Sequence, residues 1–236
     1  MLVATWNLQG HFSGNGKDAL STFEIAKSLM FNNNIDVLCL QEVGNMTAND
    51  DIFVGFNTYE IGIESNINIG TQHRQFYVDF VYTPFGINRR CSMLTLAKSG
   101  IRDKRYNPRY FANGNGRLSL GIICDGVWVY NTHSPASGNA LNYDLQIINA
   151  ATNTGGSFII AGDFNCNANT LRANVAANIY VHSVDYPTQK SGGTYDYFVS
   201  RKKCYFVDYA YLHTQQDNMI VNYTVSDHRP VIASFG

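Results

Sequence analysis

The sequence predicts an α+β fold in which two packed, mixed β-sheets are flanked by helices, as a four-layer αββα sandwich. About ten short apolar runs are bounded by glycine, asparagine, aspartate and proline, which is typical of strands. Only two segments have helical periodicity, whereas a doubly wound parallel sheet needs a helix after nearly every strand. Aromatic residues make up 13% of the chain, which suits half-buried strand surfaces.

The predicted strands share an apolar run that ends in turn-forming residues. They are Leu2–Asn7, Asp36–Glu42, Phe76–Tyr82, Ser92–Ala97, Leu118–Cys124, Val127–Thr132, Phe158–Ala161, Tyr195–Ser200, Tyr205–Leu212 and Pro230–Phe235. Helices are predicted over Lys17–Asn33 and Asn142–Thr152, because apolar residues recur there every three or four positions. The chain has no linker, repeat or low-complexity tract, so one domain spanning residues 1–236 is expected.

Composition narrows the possible functions. The net charge is −1 and only 15% of the residues are charged, which argues against a high-affinity DNA-binding module. It argues little against an enzyme that contacts a few phosphates through a few arginines. Five cysteines without a CxxC pair argue against a zinc site and leave disulfides undecided. No apolar run approaches the ~20 residues of a membrane span, and no secretory leader is expected because "MLVATWNLQG" enters a strand at once.

Polar residues of a few types stand where many of the predicted strands end. They are Asn7, Glu42, Asn131 with His133, Asp163 with Asn165, Asp196, and Asp227 with His228. Carboxylates hold hard cations such as Mg²⁺, histidine transfers protons near neutral pH, and asparagine orients a phosphate or a water. Glu42 is the best single candidate for a metal ligand.

Each of these residues also has a plain structural explanation. Alone, Asp163 and Asn165 would more often form a turn, and His133 or His228 would more often be a satisfied structural histidine. Six strand ends with the same chemistry favour a phosphate-cleaving site instead. The sequence also contains no G-x-S-x-G, P-loop or H-E-x-x-H motif that would point to different chemistry.

Five short motifs in this order resemble the endonuclease/exonuclease/phosphatase superfamily, whose best-known member is deoxyribonuclease I. They are "TWN" (Thr5–Asn7), "LQE" (Leu40–Glu42), "NTH" (Asn131–His133), "GDFN" (Gly162–Asn165) and "SDH" (Ser226–His228). Further motifs are similar to one branch, the catalytic B subunit of cytolethal distending toxins and typhoid toxin. They are "TWNLQG" (Thr5–Gly10), "GINR" (Gly86–Arg89), "ASG" (Ala136–Gly138), "YPT" (Tyr186–Thr188) and "SGGTYDY" (Ser191–Tyr197).

The resemblance implies a deoxyribonuclease I-like fold and a role for each matching residue. Glu42 is implied as the main metal ligand, supported by Asn7 and Asp227, and His133 and His228 as the catalytic pair. Asp163 and Asn165 would orient the attacking water and the phosphate, and Asp196 would orient His228. Phosphate contacts are implied for Arg89, Arg117 and Asn7. One departure concerns the acidic partner of the first histidine, since the nearest positions here are Gln75 and Asp79.

The resemblance implies a metal-dependent phosphodiesterase that cuts or nicks DNA, with Mg²⁺ as the cofactor and Mn²⁺ or Ca²⁺ as alternatives. It further implies the catalytic subunit of a secreted bacterial genotoxin, with partner subunits for delivery and the host nucleus as the place of action. Two alternatives stay open. One is a phosphoinositide phosphatase, because the same scaffold serves both substrates, and the other is a non-catalytic member that binds a partner.

Overall fold

The strands form two mixed sheets in this computed structural model. It describes residues 1–9, 29–30, 33–43, 54–59, 62–71, 74–83, 91–112, 117–136, 138–209 and 226–236, with the backbone only for 54–83 and for residue 112. The strands are β1 (Leu2–Asn7), β2 (Val37–Gln41), β3 (Val54–Tyr59), β4 (Gly62–Thr71), β5 (Arg74–Thr83), β6 (Met93–Lys98), β7 (Arg109–Ala112), β8 (Leu118–Cys124), β9 (Val127–His133), β10 (Phe158–Asp163), β11 (Tyr180–His182), β12 (Asp196–Ser200), β13 (Cys204–Tyr209) and β14 (Val231–Phe235). The helices are α1 (Ala140–Asn153) and α2 (Ala168–Arg172).

The larger sheet has the strand order β13-β14-β1-β2-β6-β5-β4-β3, and the smaller has β11-β12-β10-β9-β8-β7. Each sheet contains one parallel pair, β1 with β2 and β9 with β10, within antiparallel neighbours. The predicted pair of mixed sheets is therefore confirmed. The two strands of each parallel pair have their carboxyl ends side by side at one end of the sheet, which is where polar side chains can meet.

The main core lies between the two sheets, where apolar side chains of both inner faces interdigitate. Val3, Cys39 and Val231 come from the larger sheet, and Ile159 and Phe198 from the smaller, all with an exposed fraction of 2% or less. A second core fills the space between the smaller sheet and α1. There Tyr143, Ile147 and Ile148 pack with Tyr130 and Phe158, so that helices cover the outer face of this sheet.

The sequence analysis missed strands β3, β4, β7 and β11 and helix α2. Three of these strands, β3, β7 and β11, lie at the edges of the sheets that the described residues form, and their apolar alternation is weak. Strand β4 does alternate, but its asparagines and glycines read as turn residues. Helix α2 has only five residues, too few to show a period. The predicted helix Lys17–Asn33 lies mostly outside the described residues, although Leu29 and Met30 are helical and buried.

Candidate active site

The candidate site forms where the parallel strands of both sheets end. Across the smaller sheet, Asp163 of β10 pairs in register with His133 of β9 on one side and with Asp196 of β12 on the other. In the larger sheet, Asn7 pairs with Gln41 at the ends of β1 and β2. Asn7 Nδ2 donates a hydrogen bond of 2.9 Å to Asp163 Oδ2. The two sheets thus meet at these strand ends through a direct polar contact.

Asp163 lies at the centre, between the two histidines. It is buried, and its Oδ2 also accepts a hydrogen bond from Asn165 Nδ2 at 3.2 Å. The same oxygen is 3.8 Å from His133 Nε2 and 3.9 Å from His228 Nε2. Burial first, and then the charge of Asp196, raise the pKa of Asp163 to about 7, although the His228 charge opposes the rise. A carboxyl group with this pKa is suited to accept a proton near neutral pH.

His228 is held by a carboxylate. Its Nδ1 lies 2.7 Å from Asp196 Oδ2, and both side chains are buried. Its backbone N–H donates to Ser226 Oγ at 3.1 Å. Burial alone would lower the pKa of His228, but the charge and hydrogen bond of Asp196 and the charges of two further carboxylates outweigh it and raise the pKa to about 9. At neutral pH His228 is therefore an imidazolium that can donate a proton from Nε2.

His133 has a different neighbour. Arg117 Nη1 lies 2.8 Å from His133 Nδ1. A guanidinium group can only donate, so Nδ1 accepts this hydrogen bond and the ring carries its proton on Nε2. That Nε2 lies 3.4 Å from Glu42 Oε1 and 3.8 Å from Asp163 Oδ2. His133 is thus oriented as a neutral ring whose N–H faces the carboxylates of the site.

Two sets of side chains are candidates to hold a metal ion. Among the described residues, Asp163, Asp196 and His228 offer ligand atoms within 4.8 Å of one another, all buried. In that set, however, His228 Nδ1 is already bonded to Asp196. Glu42 and Asp227 have side chains that are 13% and 33% exposed, and Asp227 Oδ1 accepts no hydrogen bond from a described residue. Because Mg²⁺ usually keeps several waters, the more open pair suits it better.

The backbone is constrained where it delivers these side chains. Glu42 and Asn165 have φ of 49° and 47°, in the left-handed region that is costly for residues other than glycine. The Asn165 backbone N–H donates to Asp163 Oδ1 at 2.9 Å, so the turn and the site share one carboxylate. At Gly162 a Cβ atom would lie 2.0 Å from Thr132 O. Only glycine therefore fits the second-last position of β10.

A buried polar network behind the site was missed by the sequence analysis. Gln41 Nε2 donates to Thr5 Oγ1 at 3.0 Å and, across the sheets, to Asn131 Oδ1 at 2.8 Å. All three side chains are fully buried. Gln41 precedes Glu42, and Asn131 stands two residues before His133. The network therefore sets the spacing between Glu42 and His133. Polar residues just before a site residue, inside an apolar strand, are the signal that could have revealed it.

Most residues predicted for the site come together at this edge. They are Asn7, Glu42, His133, Asp163, Asn165, Asp196, Asp227 and His228. Their chemical roles stay predictions. Arg117 contacts His133, and Arg89 lies outside the described residues. Gln75 and Asp79 fall on β5, where the backbone alone is described, so an acidic partner of His133 also stays a prediction.

Cys166, directly after "GDFN", has a structural place. It is buried, and its carbonyl oxygen accepts a hydrogen bond of 3.1 Å from the Tyr197 hydroxyl. The Phe164 and Tyr197 rings stack with centroids 4.2 Å apart. Burial raises the pKa of the Cys166 thiol to about 11. The thiol is therefore protonated at neutral pH and packs where "GDFN" meets "TYDY".

Comparison with known proteins gives one family and a set of similar folds. A model described as Endonuclease/Exonuclease/phosphatase family matches residues 4–228. The chain matched none of the curated protein sequences with which it was compared. It is similar to the structure of cytolethal distending toxin from Actinobacillus actinomycetemcomitans, with 22% identity, a TM-score of 0.70, and 99% and 97% of the two chains covered.

Two further solved structures show the range of this fold. One is CdtB, the biologically active subunit of cytolethal distending toxin, with 21% identity, a TM-score of 0.69, and 100% of this chain and 97% of that chain covered. The other is TDP2 from C. elegans, with 14% identity, a TM-score of 0.60, and 98% and 74% covered. At these identities the likeness demonstrates a shared fold.

Proposed function

The chain belongs to the endonuclease/exonuclease/phosphatase family, and on that premise we propose that it is a metal-dependent phosphodiesterase that cuts or nicks DNA. One observation carries the proposal. Asp163 Oδ2 lies 3.8 and 3.9 Å from the Nε2 atoms of the two histidines. These distances exceed a direct hydrogen bond, so neither ring is bonded to this oxygen, and the three groups converge on one place where a phosphate could be cleaved.

The three side chains supply the proton transfers of phosphodiester hydrolysis. Asp163, ionised above its pKa of about 7, accepts a proton from water while the water oxygen bonds to phosphorus. His228, cationic below its pKa of about 9, donates its Nε2 proton to the leaving 3′ oxygen as the P–O bond breaks. His133 donates a hydrogen bond from Nε2 to a non-bridging oxygen. The proton on Asp163 then passes through one water to His228, whose Nε2 lies 3.9 Å away.

The two partly exposed carboxylates of the site, Glu42 and Asp227, suit a divalent cation. Glu42 and Asp227 would hold Mg²⁺, or Mn²⁺ or Ca²⁺ in its place, because hard cations prefer carboxylate oxygens. Asn7 would support the ion and its waters from the end of β1. A cation bound there would offset the negative charge that develops on the phosphate.

A nicking assay tests the proposal. Purified protein should nick supercoiled plasmid in the presence of Mg²⁺ and stop when a chelator removes the ion. His133→Ala should lower the rate by about 10²–10⁴-fold. His182→Gln is a matched control, since His182 bonds to Ser200 on β11–β12, outside the site. Full activity of His133→Ala would show that the site is wrongly assigned.

The alternative of a phosphoinositide phosphatase is an outcome of the same experiment. Release of inorganic phosphate from phosphoinositides, together with intact plasmid, would support the phosphatase and contradict DNA cleavage. Plasmid nicking without phosphate release would support the nuclease. The two substrates differ in the bond broken, a diester in DNA and a monoester in the lipid headgroup, so the assays do not overlap.

The proposal extends to a biological setting, the catalytic subunit of a secreted bacterial genotoxin that partner subunits deliver and that acts on DNA in the host nucleus. Its support is the shared fold with the biologically active subunit of cytolethal distending toxin. No helix among the described residues has the length and apolar character needed to cross a bilayer. Protein electroporated into cultured cells should cause nuclear DNA breaks, and His133→Ala should not. Breaks of equal number with both proteins would contradict this role.

A further inference from the structure

The "YPT" and "SGGTYDY" motifs contain a threonine that the proposed chemistry does not use. Thr188 is fully buried, although the neighbouring Tyr186 is 70% exposed. It lies in the segment 186–195, which we call the 186–195 loop and which leads into β12. A buried hydroxyl group needs hydrogen-bond partners, and the partners of this one point to a role.

The Thr188 hydroxyl accepts two backbone hydrogen bonds from the end of its own loop. Tyr195 N donates to Thr188 Oγ1 at 3.0 Å and Asp196 N donates to it at 3.1 Å. The loop is closed by a third bond, from Thr188 N to Gly193 O at 3.0 Å. One side chain thus anchors the main chain at the residue that holds His228.

This anchoring adds to the pairing of Asp196 with Asp163 on β10, and it matters because the Asp196 carboxylate itself has few hydrogen bonds. Its Oδ2 bonds to His228 Nδ1 at 2.7 Å, while its buried Oδ1 accepts no hydrogen bond from a described residue. The position of the carboxylate therefore depends on its backbone. Asp196 is the first residue of β12, and its backbone N–H is the one that donates to Thr188 Oγ1.

Thr188 also contacts the segment that carries the histidine. Arg229 N donates to the Thr188 carbonyl at 2.8 Å, and Gln189 forms a β-bridge with His228. In addition, Lys190 N donates to Asp227 O at 2.8 Å. Thr188 is thus bonded through its side chain to one partner of the Asp196–His228 pair and through its backbone to the neighbour of the other.

We propose that Thr188 is a positioning residue whose hydroxyl group sets the Asp196 carboxylate against His228. Its effect on rate rests on the proposed phosphodiesterase, but its effect on the hydrogen bond between the two residues does not. Misplacement of a catalytic group by about 1 Å can cost ~10²-fold in rate. Loss of the hydroxyl group should therefore lower kcat by roughly 10- to 100-fold and leave KM nearly unchanged, since Thr188 is fully buried.

Three variants test the hydroxyl group separately from the space it fills. Thr188→Ala and Thr188→Ser both lose the methyl group and differ only in the hydroxyl oxygen, and Thr188→Val keeps the volume. In the same loop, Thr194→Ala is the matched control, because the Thr194 hydroxyl bonds only to the Tyr186 carbonyl among described residues. We expect Thr188→Ser and Thr194→Ala to retain kcat, and Thr188→Ala and Thr188→Val to lose it.

A proton NMR measurement on the full chain separates failure of this inference from failure of the proposed function. The His228 Nδ1 proton, identified by its loss in His228→Gln, should be shifted downfield by its bond to Asp196. It should persist in Thr188→Ser and be lost or shifted in Thr188→Ala, whether or not the protein cuts DNA. If Thr188→Val does not fold, the Ser and Ala variants still decide. An unchanged resonance and an unchanged kcat in a folded Thr188→Ala would overturn the proposal.

Discussion

The two histidines of the site are the same side chain held in opposite ways. His228 Nδ1 faces the Asp196 carboxylate at 2.7 Å, whereas His133 Nδ1 faces the Arg117 guanidinium at 2.8 Å. A carboxylate accepts the Nδ1 proton and stabilises the imidazolium, whereas a guanidinium donates to Nδ1 and so leaves the ring proton on Nε2. On the proposed mechanism, the partner of Nδ1, rather than the histidine itself, makes one ring a proton donor and the other a hydrogen-bond donor.

The largest effect is expected at Asp163, which faces both rings. Asp163→Asn keeps the shape but cannot accept the proton from water, so kcat should fall by about 10²–10⁴-fold. The measurement is the plasmid nicking rate, with the exposed Asp185→Asn as the control. A loss much smaller than that of His133→Ala would place the base elsewhere.

A smaller loss is expected when the carboxylate that holds His228 is neutralised. Asp196→Asn can still hydrogen-bond to Nδ1 but removes the charge that keeps the ring cationic, so kcat should fall about 10²-fold. The pKa of His228, followed by NMR in metal-free protein, should drop from about 9. A variant with normal kcat would mean that His228 does not act as the cation.

Replacing the guanidinium tests the other half of the comparison. Arg117→Gln keeps a donor for His133 Nδ1 but removes the charge, and Arg117→Lys keeps the charge but loses the planar geometry. If the bond to Nδ1 orients the ring, we expect kcat to fall about 10-fold in the Arg117→Lys variant and less in the Arg117→Gln variant. Should KM rise instead while kcat holds, Arg117 would be a phosphate contact, as the resemblance implies.

The smallest expected effect is on stability. His228 has a folded-state pKa of about 9, above its ordinary 6.5, so the folded state binds this proton more tightly than the unfolded chain. The contribution of His228 to the free energy of unfolding is fully present below pH 6.5 and is lost as the pH rises through about 9. The unfolding temperature in chelator should fall by about 5 °C over this window. In the Asp196→Asn variant the unfolding temperature should depend less on pH. An equal slope in the variant and the unsubstituted protein would contradict the raised pKa of His228.

Sequence reasoning placed the site residues at strand ends because polar residues interrupt apolar runs there. The strand pattern alone could not assign the partner of each histidine, which depends on register, and Asp196 was assigned to His228 only through the family resemblance. For His133 a signal was available. Asp125-Gly126 is a hairpin turn with both φ values positive, and it pairs Ser119 with Thr132, which sets Arg117 beside the end of β9. For His228 no local signal exists, since Asp196 lies 32 residues away and meets it through the contact of two sheets.

The first and last described strands are neighbours, since β1 pairs with β14. Trp6 Nε1 donates to His228 O at 3.1 Å and Ser226 Oγ donates to Asn7 O at 2.6 Å, across more than two hundred residues. Such long loops close slowly, so the site should be among the last parts to form as the chain folds. A growing chain that has not yet placed β14 has neither His228 nor a partner for one side of β1. Such a chain would lack an assembled site until β14 has been synthesised and paired.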